Sequence, residues 1–141
     1  MNNELIDRLR AALPAGVDLE LPPKCFVDMQ GEFVAYEDGL SLTVRYPVLE
    51  RYENPLRYMQ GGMIVAAIDN TIGPLSYLVA PPSVTTQLNV SYIRPVTHAD
   101  EYLTVTGMVD EQTRRYLFLK AEVTNSAHKL VALCHATFAV L

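Results

Sequence analysis

Gln60-Gly61-Gly62 leads into a long apolar run, and one carboxylate, Asp69, stands alone in it as the only charged residue from Met63 to Pro74. Two kinds of chemistry meet in that stretch. A glycine that opens a helix leaves its backbone N–H unpaired at the positive end of the helix dipole, where negative charge is favoured, so the Gly61 amide suits a developing oxyanion. Without a Cβ, glycine also lets a ligand come close to the backbone. Asp69 is the second element. An aspartate is almost never fully buried without a partner, and an unpaired buried carboxylate costs several kcal/mol, so Asp69 is either well solvated or kept for proton or nucleophilic chemistry.

The elements that must hold these groups follow from periodicity. The apolar run predicts a helix that begins near Gln60, is buried on nearly all sides, and bends or ends at Gly73-Pro74, where proline removes a backbone donor. Upstream, residues 3 to 13 place Leu5, Ile6, Leu9 and Leu13 on one face of a short helix, with Asn2 or Asn3 available as a cap and Pro14 and Gly16 beyond its end. After the Leu21-Pro22-Pro23 linker, residues 24 to 37 and 40 to 48 read as two strands joined at Asp38-Gly39. A loop runs from Glu50 to Met59. From Val84 the period switches to two, with Val84, Thr86, Leu88, Val90 and Tyr92 on one face. Further strands are expected over 101 to 110, 114 to 124 and 129 to 140, separated by Glu111-Gln112-Thr113 and by Asn125 to His128. The order predicts an α+β fold, an antiparallel sheet with helices collected on one face.

Length and composition narrow the possibilities. A chain of 141 residues makes one domain, here residues 1–141 with 1–20 as an N-terminal helix and linker, and buries roughly 68% of its unfolded surface. Half of the residues are hydrophobic, yet no apolar run reaches the roughly 18 residues of a membrane span, and the start MNNELIDRLR carries acids in place of a signal sequence. A cytoplasmic protein without a membrane partner is expected. Cys25 and Cys134 lack a CxxC pattern, and His98, His128 and His135 form no ligand cluster, which argues against a zinc site and suits a reducing compartment. A net charge of -5 without a basic run disfavours nucleic acid. No glycine-rich phosphate loop follows a strand and no Gly-x-Ser-x-Gly elbow occurs, so nicotinamide, flavin and serine-hydrolase chemistry lack support and no cofactor is expected.

Asn54, Gln60-Gly61-Gly62, Asp69 and the stretch Thr85 to Pro95 together resemble the hotdog-fold acyl-CoA thioesterases of the 4-hydroxybenzoyl-CoA thioesterase superfamily, and within them the phenylacetate-pathway branch. That branch carries Asn, six residues on His-Gly-Gly, and Asp eight residues after the first glycine; Asn54, Gly61 and Asp69 match the spacing. The resemblance implies a sheet wrapped around a long central helix, protomers paired edge to edge as a dimer or dimer of dimers, and two sites at the dimer interface. It implies an acyl-CoA substrate, with the Gly61 N–H as oxyanion hole and Asp69, from the opposite protomer, as general base on water or nucleophile on the thioester. Asn54 would help orient the reacting groups, and Thr85 aligns with a hydroxyl residue that supports water or the carboxylate. Gly62 would lie against the substrate. Arg94, Arg57 and Lys129 are candidates for the phosphates of coenzyme A, and Met59, Met63, Ile68, Tyr58, Tyr77 and Leu78 for an apolar acyl pocket.

The chain departs from the pattern at Gln60, which stands where the family has His and cannot carry a proton near neutral pH. A non-catalytic acyl-CoA or acyl-carrier binder using the same pocket is the alternative this opens. A hydratase or dehydratase reading draws on Glu53-Asn54-Pro55-Leu56, similar to the Asp-x-Asn-Pro-x-His signature of enoyl-CoA hydratases. It fails at the chemistry, because Arg57 takes the His position and Glu53 directly precedes Asn54, leaving no acid/base pair.

Overall fold

The computed structural model describes residues 2–141; Met1 lies outside them. Helix α1 (Asn2–Ala12) is followed by a short helix α2 (Lys24–Asp28), strands β1 (Glu32–Glu37) and β2 (Ser41–Pro47), a 3-10 turn at Glu50–Tyr52, helix α3 (Gly61–Val79), and strands β3 (Ser83–Tyr92), β4 (Tyr102–Gln112), β5 (Tyr116–Thr124) and β6 (Leu130–Val140). All six strands form one antiparallel sheet in the order β1-β2-β4-β5-β6-β3. β1 and β3 are therefore its edges.

The sheet curls around α3. Ile64, Ala67, Ile68, Thr71, Ile72, Leu75 and Ser76 form the buried stripe of the helix and meet alternate inward residues of the strands, among them Leu42, Val44, Leu103, Val105, Leu119 and Val123. Helix and sheet come close at Gly107 on β4, where a Cβ would fall 2.9 Å from the Ile72 side chain. The Thr71 hydroxyl bridges the layers, donating to the Ala67 carbonyl at 2.9 Å and lying 2.9 Å from the Tyr46 hydroxyl.

The Asp38-Gly39 hairpin is present, with Gly39 at φ +73° and the Leu40 N–H donating to the Glu37 carbonyl. The four later strands lie within one or two residues of their expected bounds. Four other expectations are corrected. Residues 24 to 28 are helical where a strand was expected: Pro23 precedes the first turn, and Phe26 and Met29, three apart, turn inward at helical period. Asn2 is the first residue of α1, and its carboxamide oxygen accepts the Phe33 N–H at 2.9 Å, which ties the helix to β1. Helix α3 continues through Pro74. An internal proline costs about 3 kcal/mol, and burial of Ile72 and Leu75 on either side, each worth about 1.5–3 kcal/mol, offsets it. Finally, α3 is buried along one face only, and Asp69 lies on the other, exposed in the single chain. The helix is long and apolar enough by composition to cross a membrane, but its apolar stripe is the one that covers the sheet.

Candidate active site

Two clusters of the expected residues sit at different places along α3. The first surrounds its N-terminus. Gln60 is the N-cap in extended conformation, and its side-chain Oε1 accepts the Met63 N–H at 3.1 Å. The N–H groups of Gly61 and Gly62 have no acceptor among the described residues, as expected for the first turn of a helix. Strand β3 reaches this point: Tyr92 donates its hydroxyl to the Gly61 carbonyl at 2.9 Å, and a Cβ on Gly61 would meet the Tyr92 ring at 3.1 Å. Gly61 is thus covered on its carbonyl side and open at its N–H. Asn54 acts one step back. Its Oδ1 accepts the N–H of Leu56 at 2.9 Å and of Tyr58 at 3.1 Å, so it shapes the loop that delivers Gly61. That loop is fastened by Gln60 N–H to the Tyr52 carbonyl at 2.7 Å and by Met59 N–H to the Val96 carbonyl at 2.8 Å.

The second cluster lies at Asp69. The Thr85 hydroxyl donates to Asp69 Oδ1 at 3.1 Å, and both residues line an apolar cavity of about 270 Å³. Burial pushes the Cys134 thiol up; the nearby Asp69 charge adds to the shift, and a backbone hydrogen bond at Asn89 opposes it. Asn70 follows Asp69 but faces structure: its Oδ1 accepts from the Cys25 thiol at 3.3 Å and its Nδ2 contacts the Met29 sulfur at 3.5 Å, clamping α2 to α3.

Gly61 and Asp69 are eight residues apart on one helix, a rise of about 12 Å. A reacting carbonyl must lie about 3 Å from both its oxyanion donor and the group that attacks it or activates water. Within one chain the two clusters therefore lie too far apart along α3 to act on a single carbonyl: Gly61, Gly62 and Gln60 at one, Asp69 and Thr85 at the other.

The cavity wall differs from expectation. Of the six expected lining residues only Tyr77 contributes; Met59 and Ile68 are core, and Met63 lines a separate groove with Cys25, Met29 and Tyr52. Tyr58 and Leu78 lie elsewhere. Ile6 and Leu9 of α1, the Leu21-Pro22-Pro23 segment, Phe26 and Phe33 supply the wall instead. The amphipathic face of residues 3 to 13 was the signal for this, since that face has to cover something. Tyr92 carried no signal beyond its place in the alternating strand. The three expected cations are spread out and none lines the cavity. Arg94 Nη1 donates to the Leu130 carbonyl at 2.7 Å, beside the exposed Lys129, whereas Arg57, at φ +64°, borders a groove with Glu50, Glu53 and His98.

A sheet wrapped around one long helix, with the helix start and a mid-helix carboxylate both open, defines the hotdog class of fold. Residues 57–132 match the model of the Thioesterase superfamily, more than half of the chain, and the chain belongs to that superfamily of thioester hydrolases. The search of curated proteins returns no match. Among solved structures, the conserved protein PA5202 from Pseudomonas aeruginosa is 31% identical, spanning 84% of this chain and 94% of that one at a TM-score of 0.75. The PaaI protein from the phenylacetic acid degradation operon of Escherichia coli superposes over 99% of this chain and 95% of its own, at a TM-score of 0.84 and 17% identity. The smu.793 protein from Streptococcus mutans UA159, solved bound to acetyl CoA, is 21% identical over 91% of this chain and 97% of that one, at a TM-score of 0.76. The last two likenesses are likenesses of fold.

Proposed function

We propose that this protein hydrolyses an acyl-CoA thioester to the free acid and coenzyme A, as a homodimer whose sites each combine Gly61 of one chain with Asp69 and Thr85 of the other. One observation carries the reading: an exposed carboxylate, held by Thr85 at the mouth of an apolar cavity, lies about 12 Å along its own helix from the open Gly61 N–H. A second chain closes that gap.

In this scheme the thioester carbonyl oxygen points at the Gly61 N–H and the acyl group enters the cavity beside Asp69. As charge develops on the oxygen, the helix N-terminus stabilises it. Asp69 takes a proton from a water that attacks the carbonyl carbon; the C–S bond breaks, and the thiolate leaves with a proton returned from Asp69. Direct attack by Asp69 to form an anhydride, then hydrolysed by water, uses the same placement. Transfer of ¹⁸O from labelled water into Asp69 during a single turnover separates the two routes. Gln60 contributes by fixing the first turn through Met63, a role that needs no titrating side chain. Arg94 with Lys129, and Arg57 at the loop, supply positive charge for the phosphates of coenzyme A.

Thiol release from a panel of acyl-CoAs, wild type beside Asp69→Asn, tests the proposal. Release that falls at least about 10³-fold in the variant, with dimer and melting temperature kept, supports it. A wild-type rate in Asp69→Asn would remove the assigned role. The cap formed by Gln60, in place of an imidazole, favours one second reading, a non-catalytic acyl-CoA binder; acyl-CoA that raises the melting temperature while no thiol appears would select it.

A further inference from the structure

One serine in the wall of the apolar cavity has a buried hydroxyl with nothing to bond among the described residues. Ser83, the first residue of β3, is 2% exposed and lines the cavity, and its Oγ has no hydrogen-bond partner among the described residues. Buried hydroxyls in native proteins are nearly always paired, so one left unpaired in the wall of a ligand cavity asks for a partner that arrives with the ligand.

Its position relative to the reacting centre is set by the strand. Ser83 and Thr85 are two residues apart, on one face of β3, with regular pairing to Val140 and Phe138 of β6, which puts them about 7 Å apart. Thr85 bonds Asp69. An acyl chain whose thioester carbonyl meets Asp69 therefore passes the walls formed by Phe26, Phe33, Tyr77 and Phe138 and comes level with Ser83 about five to six bonds on, at an advance of roughly 1.25 Å per bond in a zigzag. A resident water is poorly provided for, since it needs two to four polar partners. The Asn70 carboxamide is engaged by Cys25 and Met29 and the Thr85 hydroxyl by Asp69, and the Asp69 carboxylate, which also lines the cavity, sits at the Thr85 end, about 7 Å along the strand from Ser83.

We infer that Ser83 is a specificity-determining residue that hydrogen-bonds a hydroxyl or carbonyl oxygen on the acyl group about five to six bonds from the thioester carbon, selecting an oxygenated short or medium acyl-CoA over a plain hydrocarbon one. The cavity volume of about 270 Å³ lies at the small end of ligand sites and suits an acyl group of that length. The inference rests on the proposed placement of the thioester at Asp69.

The test compares hexanoyl-CoA with 5-hydroxyhexanoyl-CoA on wild type and Ser83→Ala. Wild type is expected to favour the hydroxylated substrate in kcat/KM by about 10- to 100-fold, the range for leaving a buried polar group unpaired. Ser83→Ala is expected to lose that preference while its rate on hexanoyl-CoA stays within about threefold, because removing an unpaired hydroxyl leaves the apolar wall intact. Equal wild-type rates on the two substrates, or an equal fall on both in the variant, would overturn the inference. Should wild type release no thiol from either, the hydrolase reading fails on its own account. The Ser83 preference is then read as the ratio of the two dissociation constants by calorimetry, and a ratio that Ser83→Ala leaves unchanged would overturn it.

Discussion

The two edges of the sheet are built in opposite ways. β1 has six residues, begins and ends in glutamate, and is held by α1: Asn2 accepts the Phe33 N–H, and the Arg8 guanidinium lies 5.7 Å from the centre of the Tyr36 ring. β3 has ten residues without one charged side chain, and Val84, Tyr92 and the following Ile93 are 47%, 53% and 44% exposed. A long, uncharged, open edge invites another strand, whereas charges and a covering helix protect an edge from pairing. β1 is covered within the chain and β3 is left open. The open edge also carries the contacts to both clusters, Thr85 to Asp69 and Tyr92 to Gly61. The surface proposed to join two chains is thus the surface that completes the chemistry, and neither can change alone.

Charging β3 gives the strongest way to break that comparison. Asn89→Lys with Ser91→Lys puts like charges on both copies of a symmetric edge, where opposed like charges destabilise pairing. Sedimentation should show a monomer and thiol release should fall to background, while circular dichroism keeps the native signal because the substituted side chains are exposed. A monomer that still hydrolyses would place a whole site in one chain. The same two lysines on β1 would leave assembly unchanged.

Gly61→Pro is the next largest. Proline is the one substitution that deletes the N–H, and it is favoured at the first helical position; Gln60, at φ -61° and ψ 134°, already has the extended backbone a following proline requires. The new Cβ would lie 3.1 Å from the Tyr92 ring, itself half exposed and able to give way. Loss of one oxyanion donor should lower kcat by about 10²- to 10³-fold. Mixed with Asp69→Asn after unfolding and refolding together, it should recover about a quarter of the wild-type rate, because half of the dimers are mixed and each holds one intact site of two. No recovery would contradict a site shared between chains.

Comparing the two edges also shows what the sequence could tell. Alternation from Val84 to Tyr92 marked β3 as a strand, but the irregularity between Thr85 and Gln87 breaks the single face it implied and leaves Val84 exposed, and an edge strand and an inner strand read alike until their neighbours are known. The apolar run from Met63 to Pro74 located α3 and the helix start at Gln60. It implied burial all round because the half-open face of the helix, with Met63, Val65 and Ala66, is as apolar as the face against the sheet, so Asp69 stands out as an anomaly in the sequence and as an exposed group in the single chain. A helix end at Gly73-Pro74, one of the two outcomes expected there beside a bend, and residues 24 to 28 as a strand were local inferences that tertiary packing of Ile72, Leu75 and Phe26 overrode. The cavity wall was the least legible part. It joins Ile6, Leu21 and Phe26 to Tyr77 and Phe138 across most of the chain, and no local pattern reports such a junction.

Thr85→Val sharpens the comparison at the Asp69 end. It keeps shape and strand propensity and removes the donor to Oδ1. A hydrogen bond to a carboxylate open to solvent is worth less than a buried one, so kcat should fall about three- to tenfold with KM unchanged. A fall as large as that of Asp69→Asn would make the hydroxyl part of the reaction itself, in contact with water or the thioester.

Tyr92→Phe should have the smallest effect, and its size discriminates between two uses of the same ring. The hydroxyl donates to the Gly61 carbonyl at 2.9 Å, while the ring lies against the Gly61 Cα. If the bond matters, its loss frees the first turn to tilt and the N–H loses aim at the oxyanion; if only the ring matters, the phenylalanine covers Gly61 equally well. An exposed neutral hydrogen bond contributes about 0.5–1 kcal/mol, so kcat should drop two- to fivefold at most, roughly the factor that free energy allows. Tyr92→Ala removes the cover as well and opens the helix start to water, where competing hydrogen bonds weaken the oxyanion contact; it should lose more than Tyr92→Phe. Equal losses in the two variants would assign the whole effect to the hydroxyl and leave the β3 edge at this end with assembly as its one remaining task.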